Sequence, residues 1–349
     1  MIEEVTNPLG SVLAVALLAG PLAVASVLAC WGYLGLARRH GWGQQIRSDG
    51  PRTHLQKQGT PSLGGVVFLV LFSIVGAVVG LWCDTPGLFV LTGVLVAGLG
   101  LGLVGLLDDA AKLVGHKSTG VKARFRIVAQ FFLAAAAVTL IGHGHRLAGY
   151  ELSTSWIGLE GLGELERWIL QVLAVVGCAN AVNFTDGVDG LAAGTVALAS
   201  AAVGVMALLL SKGVWDICGP VFYVMASLAG FCLGFLVWNW HPAKMFMGDV
   251  GSMVLGGTLG AAAVALRLEL ILLILGLIFV VETLSVIGQI VSFRLTGRRI
   301  LKMAPLHHHL ELSGWSEVRI VLTAYVFQAV LSAMSVGLVV WSMGGDVGL

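Results

Sequence analysis

Long apolar runs separated by short polar stretches dominate this chain of 349 residues. A bilayer core about 30 Å thick needs roughly 20 apolar residues in a helix, and runs of that kind predict about ten transmembrane helices. A membrane barrel would show short alternating strands instead. We therefore expect an all-α, polytopic membrane protein that forms a single domain over residues 1–349. The predicted spans are 10–37, 63–82, 88–107, 127–142, 167–182, 190–210, 218–238, 250–266, 270–293 and 319–341.

The composition strengthens this prediction and excludes other classes. Hydrophobic residues make up 57% of the chain and charged residues 11%, whereas a soluble domain carries about 25% charged residues. A water-soluble enzyme is therefore excluded. The 48 glycines fit close helix packing in a membrane. The formal net charge of +1 provides no overall field to attract nucleic acid, so we expect no nucleic-acid partner.

Basic residues are distributed unevenly between the two sides of the predicted bundle. Most Lys and Arg residues fall in one set of connections, which comprises 38–62, 108–126, 183–189, 239–249 and 294–318. The opposite set contains only Arg146, Arg167, Lys212 and Arg267. Cytoplasmic loops carry the excess of positive charge, so the first set is predicted to be cytoplasmic and both termini external.

The unusual polar residues lie on the predicted cytoplasmic side. Asp108 and Asp109 end the third span, and two carboxylates about 5 Å apart repel by roughly 3 kcal/mol at an effective dielectric constant near 20. A cation relieves this repulsion, and Mg²⁺ prefers oxygen ligands together with substrate phosphates. Lys112, one helical turn later, is placed to neutralise part of the charge or to hold a phosphate.

A dense polar turn connects the fifth and sixth spans. Asn183, Asp186 and Asp189 recur every three residues, and two Asp-Gly steps interrupt the helix. Such a turn can present carboxylates and backbone amides to one ligand. The alternative is an ordinary polar turn between two spans.

The segment before the eighth span carries Asn239, Phe246 and Asp249. Asp249 is near a helix N-terminus, where it either caps the helix or binds a metal ion whose other ligands are phosphate oxygens. Phe246 either stacks on a nucleobase or anchors in the membrane interface.

Two further segments carry candidate chemistry. The consecutive residues His307, His308 and His309 point in different directions, which disfavours a three-histidine zinc site and favours contacts to phosphate or sugar, or proton transfer. Lys57 and Ser62 lie in a stretch with glycines that is similar to a phosphate cradle but lacks the residue order of a P-loop.

Taken in order, these five segments resemble the polyprenyl-phosphate N-acetylhexosamine-1-phosphate transferase superfamily. The similarity runs from 57–62 to 307–312 and covers most of the chain. The histidine triplet followed by Glu311 favours the muramoyl-pentapeptide branch over the UDP-GlcNAc branch. The chain departs from the usual pattern at Leu310, where the superfamily has Phe, and at Arg124, where it commonly has Lys. It also has Phe184 and Val188 in the turn, where Leu is frequent.

The resemblance implies a ten-helix fold with a cytoplasmic active-site cleft, in a homodimer of the bacterial plasma membrane. It implies transfer of phospho-MurNAc-pentapeptide from UDP-MurNAc-pentapeptide to the membrane lipid undecaprenyl phosphate, which yields lipid I and UMP with Mg²⁺. Direct attack by the lipid phosphate is favoured, because a bound phosphate is already a nucleophile. A covalent route, in which an Asp attacks first, fits the same residues.

The resemblance also implies roles for individual residues. The catalytic residues would be Asp108, Asp109, Lys112, Asp249 and His307, and the magnesium ligands Asp249, Asp108 and Asp109. The substrate-binding residues would be Lys57, Ser62, Arg124, Asn183, Asp186, Gly187, Asp189, Asn239, Phe246, His308 and His309.

Two alternatives remain open at this point. A sister transferase would use another UDP-N-acetylhexosamine. An ion-coupled transporter would also place carboxylates in a membrane, but these clusters lie on one face and no repeated half is visible.

In the ninth span, Glu282, Ser285, Gln289 and Ser292 recur on one helix face, which we expect to face protein or a wet cleft. The sequence assigns this face no role.

Overall fold

The protein is all-α in a computed structural model, which describes residues 7–43, 59–115, 120–149, 162–212 and 214–345. Within these ranges, the β pairing is limited to an isolated antiparallel bridge between Gly43 and Pro61. The predicted site residue Lys57 lies outside the described residues, so its role stays a prediction.

Twelve helices form in the described part of the chain. They are α1 (Pro8–His40), α2 (Val66–Gly80), α3 (Thr85–Gly115), α4 (Ala123–Leu147), α5 (Glu164–Thr185), α6 (Leu191–Leu209), α7 (Trp215–Asn239), α8 (Gly248–Ala265), α9 (Glu269–Leu275), α10 (Leu277–Thr296), α11 (Leu306–Glu311) and α12 (Glu317–Gly345). Within the described ranges, nine of them are long and apolar enough to cross a membrane. The chain is therefore a multi-pass membrane protein.

The second, third and ninth predicted spans differ in detail from the sequence prediction. The span predicted at 63–82 is the shorter helix α2, which has 15 residues. Helix α3 contains a π-helical turn at Val96–Gly100 and continues past the apolar run to Gly115. The span predicted at 270–293 is divided into α9 and α10 at Gly276. Hydropathy reports how well a segment partitions into the bilayer. It does not report local changes in backbone hydrogen bonding, such as a π-helical turn or an interruption of the helix.

Capping interactions define both ends of helix α1. The side chain of Asn7 accepts a hydrogen bond from the Gly10 amide at 2.7 Å, and Pro8 occupies the first turn, where its missing N–H costs no hydrogen bond. At the other end, Gly41 adopts the left-handed conformation with φ 66°. These caps explain why the helix extends beyond the purely apolar run.

Helices α6 and α8 are the most buried of the long helices, whereas α1, α10 and α12 lie at the periphery. Helix α8 packs against α3 and α5, and α7 packs against α1 and α6. Small residues allow this close approach: a Cβ on Gly65 would overlap the backbone of Gly251, and one on Gly230 would lie 2.5 Å from the carbonyl oxygen of Ala19. The buried helix α8 thereby brings its first turn against the end of α3.

Candidate active site

Three carboxylates converge where the end of α3 meets the beginning of α8. Asp108 and Asp109 are buried at the end of α3, and Asp249 lies in the first turn of α8. One oxygen of each carboxylate lies within 4.8 Å of the others. A Cβ on Gly105 would overlap the Asp249 carbonyl, so the glycine permits this approach of the two helices. The structure thus brings together the three predicted magnesium ligands.

Two basic side chains occupy the centre of this acidic trio. The Lys112 ammonium lies 2.7 Å from Asp108 Oδ2, 2.9 Å from Asp249 Oδ2 and 3.4 Å from Asp109 Oδ1. The Arg126 guanidinium lies 3.4 Å from Asp108 Oδ2 and 3.3 Å from Asp249 Oδ2. Three carboxylates against two cations leave one negative charge, and their oxygens suit a hard divalent ion.

Arg126 is a member of the site that the sequence analysis missed. Arg124 was assigned to substrate on resemblance alone, but residues two apart on a helix point about 200° away from each other. Arg124 is exposed, with its guanidinium 5.1 Å from the centre of the Phe125 ring. Arg126 precedes the fully buried Gln130 by one turn and shares its face. In the sequence, the only sign of this face was that Gln130 is a polar residue within an apolar run.

Asn183 fixes the other oxygen of Asp249. Its amide nitrogen donates to Asp249 Oδ1 at 2.9 Å and lies 2.9 Å from the hydroxyl oxygen of Ser252. Ser252, which the sequence analysis also did not select, lies one turn after Asp249 on the same face of α8. The end of α5 is therefore attached to the acidic trio.

The turn between α5 and α6 carries a fourth carboxylate. Burial raises the pKa of Asp186 well above its ordinary value, and the carboxylates of Asp249, Asp109 and Asp189 raise it further. Asp186 is thus electrostatically coupled to the trio. A cation bound there would oppose this shift.

Asp189 is held by the segment that leads to α8. Its Oδ2 accepts a hydrogen bond from the Ala243 amide at 3.0 Å and lies 3.1 Å from His241 Nδ1. The same ring nitrogen lies 3.4 Å from Glu317 Oε2 at the beginning of α12. His241 and Glu317, which the sequence analysis did not select, therefore connect Asp189 to two other elements.

Asn239 joins the same two loops. Its Oδ1 accepts from the Gly190 amide at 3.0 Å, and its Nδ2 donates to the Met245 carbonyl at 3.0 Å. The Gly190 carbonyl accepts from the hydroxyl of Tyr325 at 2.7 Å. Both ends of the buried Asn239 amide thus bind backbone here, while its predicted contact with substrate stays a prediction.

The segment containing Ser62 lies beside the beginning of α8. The Phe246 amide donates to the Pro61 carbonyl at 2.8 Å, and the Gly64 amide donates to the Phe246 carbonyl at 2.9 Å. The Ser62 carbonyl accepts from the hydroxyl of Tyr33 at 2.7 Å. These bonds bring Ser62 and the half-buried Phe246 to the same end of the bundle.

The histidine triplet forms the short helix α11, and its rings face different partners. His307 is buried, and its imidazole packs on the α-carbon of Gly187, where a Cβ would overlap Nε2. His308 Nδ1 lies 2.7 Å from Glu311 Oε2. His309 Nδ1 accepts a hydrogen bond from the Lys302 amide at 3.1 Å. The triplet therefore contacts the α5–α6 turn through His307.

Comparison with known proteins finds relatives that match most of the chain. The family described as glycosyl transferase family 4 matches residues 91–267. A phospho-N-acetylmuramoyl-pentapeptide-transferase of Desulforudis audaxviator is 45% identical over 313 residues, covering 86% of this chain and 90% of the relative. The protein of that name from Pelotomaculum thermopropionicum is 45% identical over 327 residues, covering 92% and 94%. That from Geobacillus kaustophilus is 41% identical over 313 residues, covering 88% and 93%.

The chain belongs to the phospho-N-acetylmuramoyl-pentapeptide transferase family. It is therefore a membrane transferase, and the family resemblance inferred from its motifs is confirmed. The matched region contains Asp108, Asp109 and Asp249, whereas the triplet 307–309 follows it. In this transferase, the polar clusters that the sequence marked as candidates meet at one end of the helical bundle.

Proposed function

We propose that this transferase moves phospho-MurNAc-pentapeptide from UDP-MurNAc-pentapeptide to undecaprenyl phosphate, forming lipid I and releasing UMP. The observation that carries the proposal is the convergence of Asp108, Asp109 and Asp249 around Lys112 at the end of a membrane-embedded bundle. Membership of the family supports the choice of donor and acceptor. A lipid acceptor requires a site near the bilayer surface, and this placement fits that requirement.

Charge is the main obstacle that this reaction has to overcome. A lipid phosphate and a sugar diphosphate are both anions, so they repel until cations bring them together. We propose that Asp249, Asp108 and Asp109 hold Mg²⁺. The Lys112 ammonium contacts all three carboxylates, which indicates that their oxygens are arranged to accept a cation. Mg²⁺ held there would neutralise the negative charge that develops on the phosphate of the leaving UMP.

The chain's own residues handle the nucleophile. Asp108 or Asp109 accepts a proton from the lipid phosphate, whose oxygen then attacks the phosphorus attached to the sugar. The bond from that phosphorus to the bridging oxygen breaks, and its electron pair leaves with UMP. Lys112 and Arg126 offset the negative charge that gathers between the two substrates.

We further propose a division of the substrate between two sets of residues. One set binds the uridine end and comprises Lys57, Asn183, Gly187, Asp189 and Phe246. The other lines the sugar and phosphate end and comprises Asn239 and His307–His309. Ser62 and Asp186 complete the substrate site, while a substrate contact for Arg124, which lies on the opposite face of α4 from Arg126, stays a prediction from the resemblance.

We propose that the protein is a homodimer of the bacterial plasma membrane, with this site facing the cytoplasm. Arg126, Lys244, Arg294 and Arg299 all belong to loops or helix ends on the side that carries the acidic trio. The excess of positive charge on that side supports the cytoplasmic orientation.

A radiolabelled transfer assay with purified protein tests the reaction. The donors are UDP-MurNAc-pentapeptide and UDP-GlcNAc, each with undecaprenyl phosphate and with Mg²⁺ present or chelated. We expect Mg²⁺-dependent lipid product and UMP from the first donor. Lipid product from UDP-GlcNAc, and none from UDP-MurNAc-pentapeptide, would indicate the sister transferase. Solute movement across sealed vesicles without UMP release would indicate a transporter.

Incubation with the nucleotide donor alone separates direct attack from a covalent route. Direct attack requires the lipid phosphate, so we expect no stoichiometric UMP release without acceptor. Stoichiometric UMP together with a sugar-phosphate adduct on the protein would establish the covalent route instead.

A further inference from the structure

Glu282 is a buried carboxylate within the spanning helix α10. Only 6% of its surface is exposed. Ionisable residues inside membrane helices are rare, and they pair with specific partners when they occur. The proposed reaction uses no residue of α10, so the carboxylate requires an explanation of its own.

The partner of Glu282 is the first histidine of the triplet. Glu282 Oε2 lies 3.2 Å from His307 Nδ1, and it accepts a hydrogen bond from the His307 backbone amide at 3.3 Å. The His307 side chain is fully buried. One carboxylate oxygen therefore contacts both the ring and the backbone of the same residue.

The negative charge beside Nδ1 selects between the two neutral forms of the imidazole. A neutral imidazole carries one proton, and the other nitrogen keeps a lone pair. A carboxylate 3.2 Å from Nδ1 favours the form with the proton on Nδ1. Nε2 is then the hydrogen-bond acceptor.

Nε2 is the atom of His307 that faces the α5–α6 turn. It packs on the α-carbon of Gly187, next to Asp186. Neither ring nitrogen has a well-aligned hydrogen-bond partner among the described residues, but Nδ1 lies 3.2 Å from the Glu282 carboxylate, whereas Nε2 faces the turn. A buried polar atom without a partner is exceptional in native proteins. Its position beside the turn indicates that the missing partner is a ligand of this site.

We propose that Glu282 is a positioning residue for His307. Its carboxylate holds the proton on Nδ1 and fixes the ring, so that Nε2 accepts a hydrogen bond from a hydroxyl or amide N–H of the sugar part of the substrate. The inference rests on the proposed function, because it takes His307 to contact the transferred group. It assigns His307 an acceptor role toward the sugar, whereas the sequence left open contacts to phosphate or sugar and proton transfer.

Nitrogen NMR of the resting protein tests the proton position without any turnover. Protein labelled with ¹⁵N-histidine is compared with the His307→Gln variant, which identifies the His307 signals by their loss. We expect a protonated Nδ1 and an unprotonated Nε2 at the pH of the assay. A protonated Nε2, in either a neutral or a cationic ring, would overturn the proposal.

Kinetics of Glu282 variants test the positioning role. Glu282→Gln preserves the shape and removes the charge, and we expect kcat to fall about 10²-fold, as for a misplaced reacting group, with little change in KM for the nucleotide donor. Glu282→Asp restores the charge and should recover part of kcat. Unchanged kcat in Glu282→Gln, or no recovery in Glu282→Asp, would contradict the role.

A matched control is available at the beginning of α9. Glu269 is a partly buried carboxylate that accepts a hydrogen bond from Gln171 at 2.8 Å, and Glu269→Gln should leave both kcat and the His307 signals unchanged. If the wild-type protein fails to turn over UDP-MurNAc-pentapeptide, the proposed function fails. The NMR result still decides whether Glu282 sets the proton position in that case.

Discussion

Arg126 Nη1 lies 3.3 Å from Asp249 Oδ2, although the two residues are 123 positions apart in the chain. This contact joins the beginning of α4 to the beginning of α8. Lys112, from the end of α3, contacts the same carboxylate oxygen at 2.9 Å. Three helix ends are therefore connected through one carboxylate, and the predictions below test what that connection does.

Arg126→Ala should lower kcat at least about tenfold, which corresponds to about 1.4 kcal/mol of lost charge stabilisation. The guanidinium offsets charge between Asp108 and Asp249, and alanine leaves those carboxylates with less compensation. Steady-state kinetics measure the effect. Lys122→Ala, an exposed cation just before α4, is the control and should retain activity. Equal losses in both variants would show that only the general positive charge matters.

Asp249→Asn should abolish transfer at ordinary Mg²⁺ concentrations while the protein remains folded in detergent. The substitution keeps the shape of the side chain but removes one of three converging charges. Transfer activity and size-exclusion elution are measured together. Glu164→Gln removes an exposed carboxylate from the first turn of α5 and serves as control. Near-normal turnover of Asp249→Asn would remove Asp249 from the metal site.

Lys112→Ala should bind a divalent ion more tightly while transfer activity falls. The ammonium lies within 3.4 Å of all three carboxylates, so it competes for the position that a metal ion would take. Mn²⁺ titration followed by electron paramagnetic resonance measures the affinity. Weaker or unchanged Mn²⁺ binding would mean that the lysine and the metal ion do not compete.

Gly65→Ala should destabilise the protein, because the added methyl group would overlap the backbone of Gly251 in α8. Overpacking of this kind typically costs about 1–3 kcal/mol. Thermal unfolding in detergent measures the change. Gly337→Ala on α12 is the control, since nothing lies within 4 Å of its new methyl group, and its stability should not fall. Equal melting temperatures for Gly65→Ala and the wild type would contradict the close approach.

The fold class followed from the sequence because the bilayer sets a length and a polarity for each helix. The local features did not follow, as α9 and α10 illustrate. The apolar run 270–293 gave no reason to divide it, and yet the helix is interrupted at Gly276. Glycine has a low helix propensity, but glycines are so frequent in this chain that one more was uninformative.

The candidate site followed from the sequence in its carboxylates and not in all of its cations. Two adjacent aspartates at the end of a span can be recognised as a candidate cation site, because their carboxylates repel each other unless a cation lies between them. The choice between Arg124 and Arg126 depends on which face of α4 meets α8, and helix rotation is set by packing between helices. Ser252 and Glu282 were not assigned roles for the same reason, since their significance lies in residues distant along the chain.

The sequence by itself determined that this protein crosses a membrane many times and that its reactive residues belong to the ends of its spans. Those properties depend on local composition, which each segment carries independently. Only the tertiary structure decided which side chains share a contact: Lys112 and Arg126 with Asp249, and Glu282 with His307. Such contacts depend on helix rotation and on approaches of a few ångströms at small residues, and both are properties of the packed bundle.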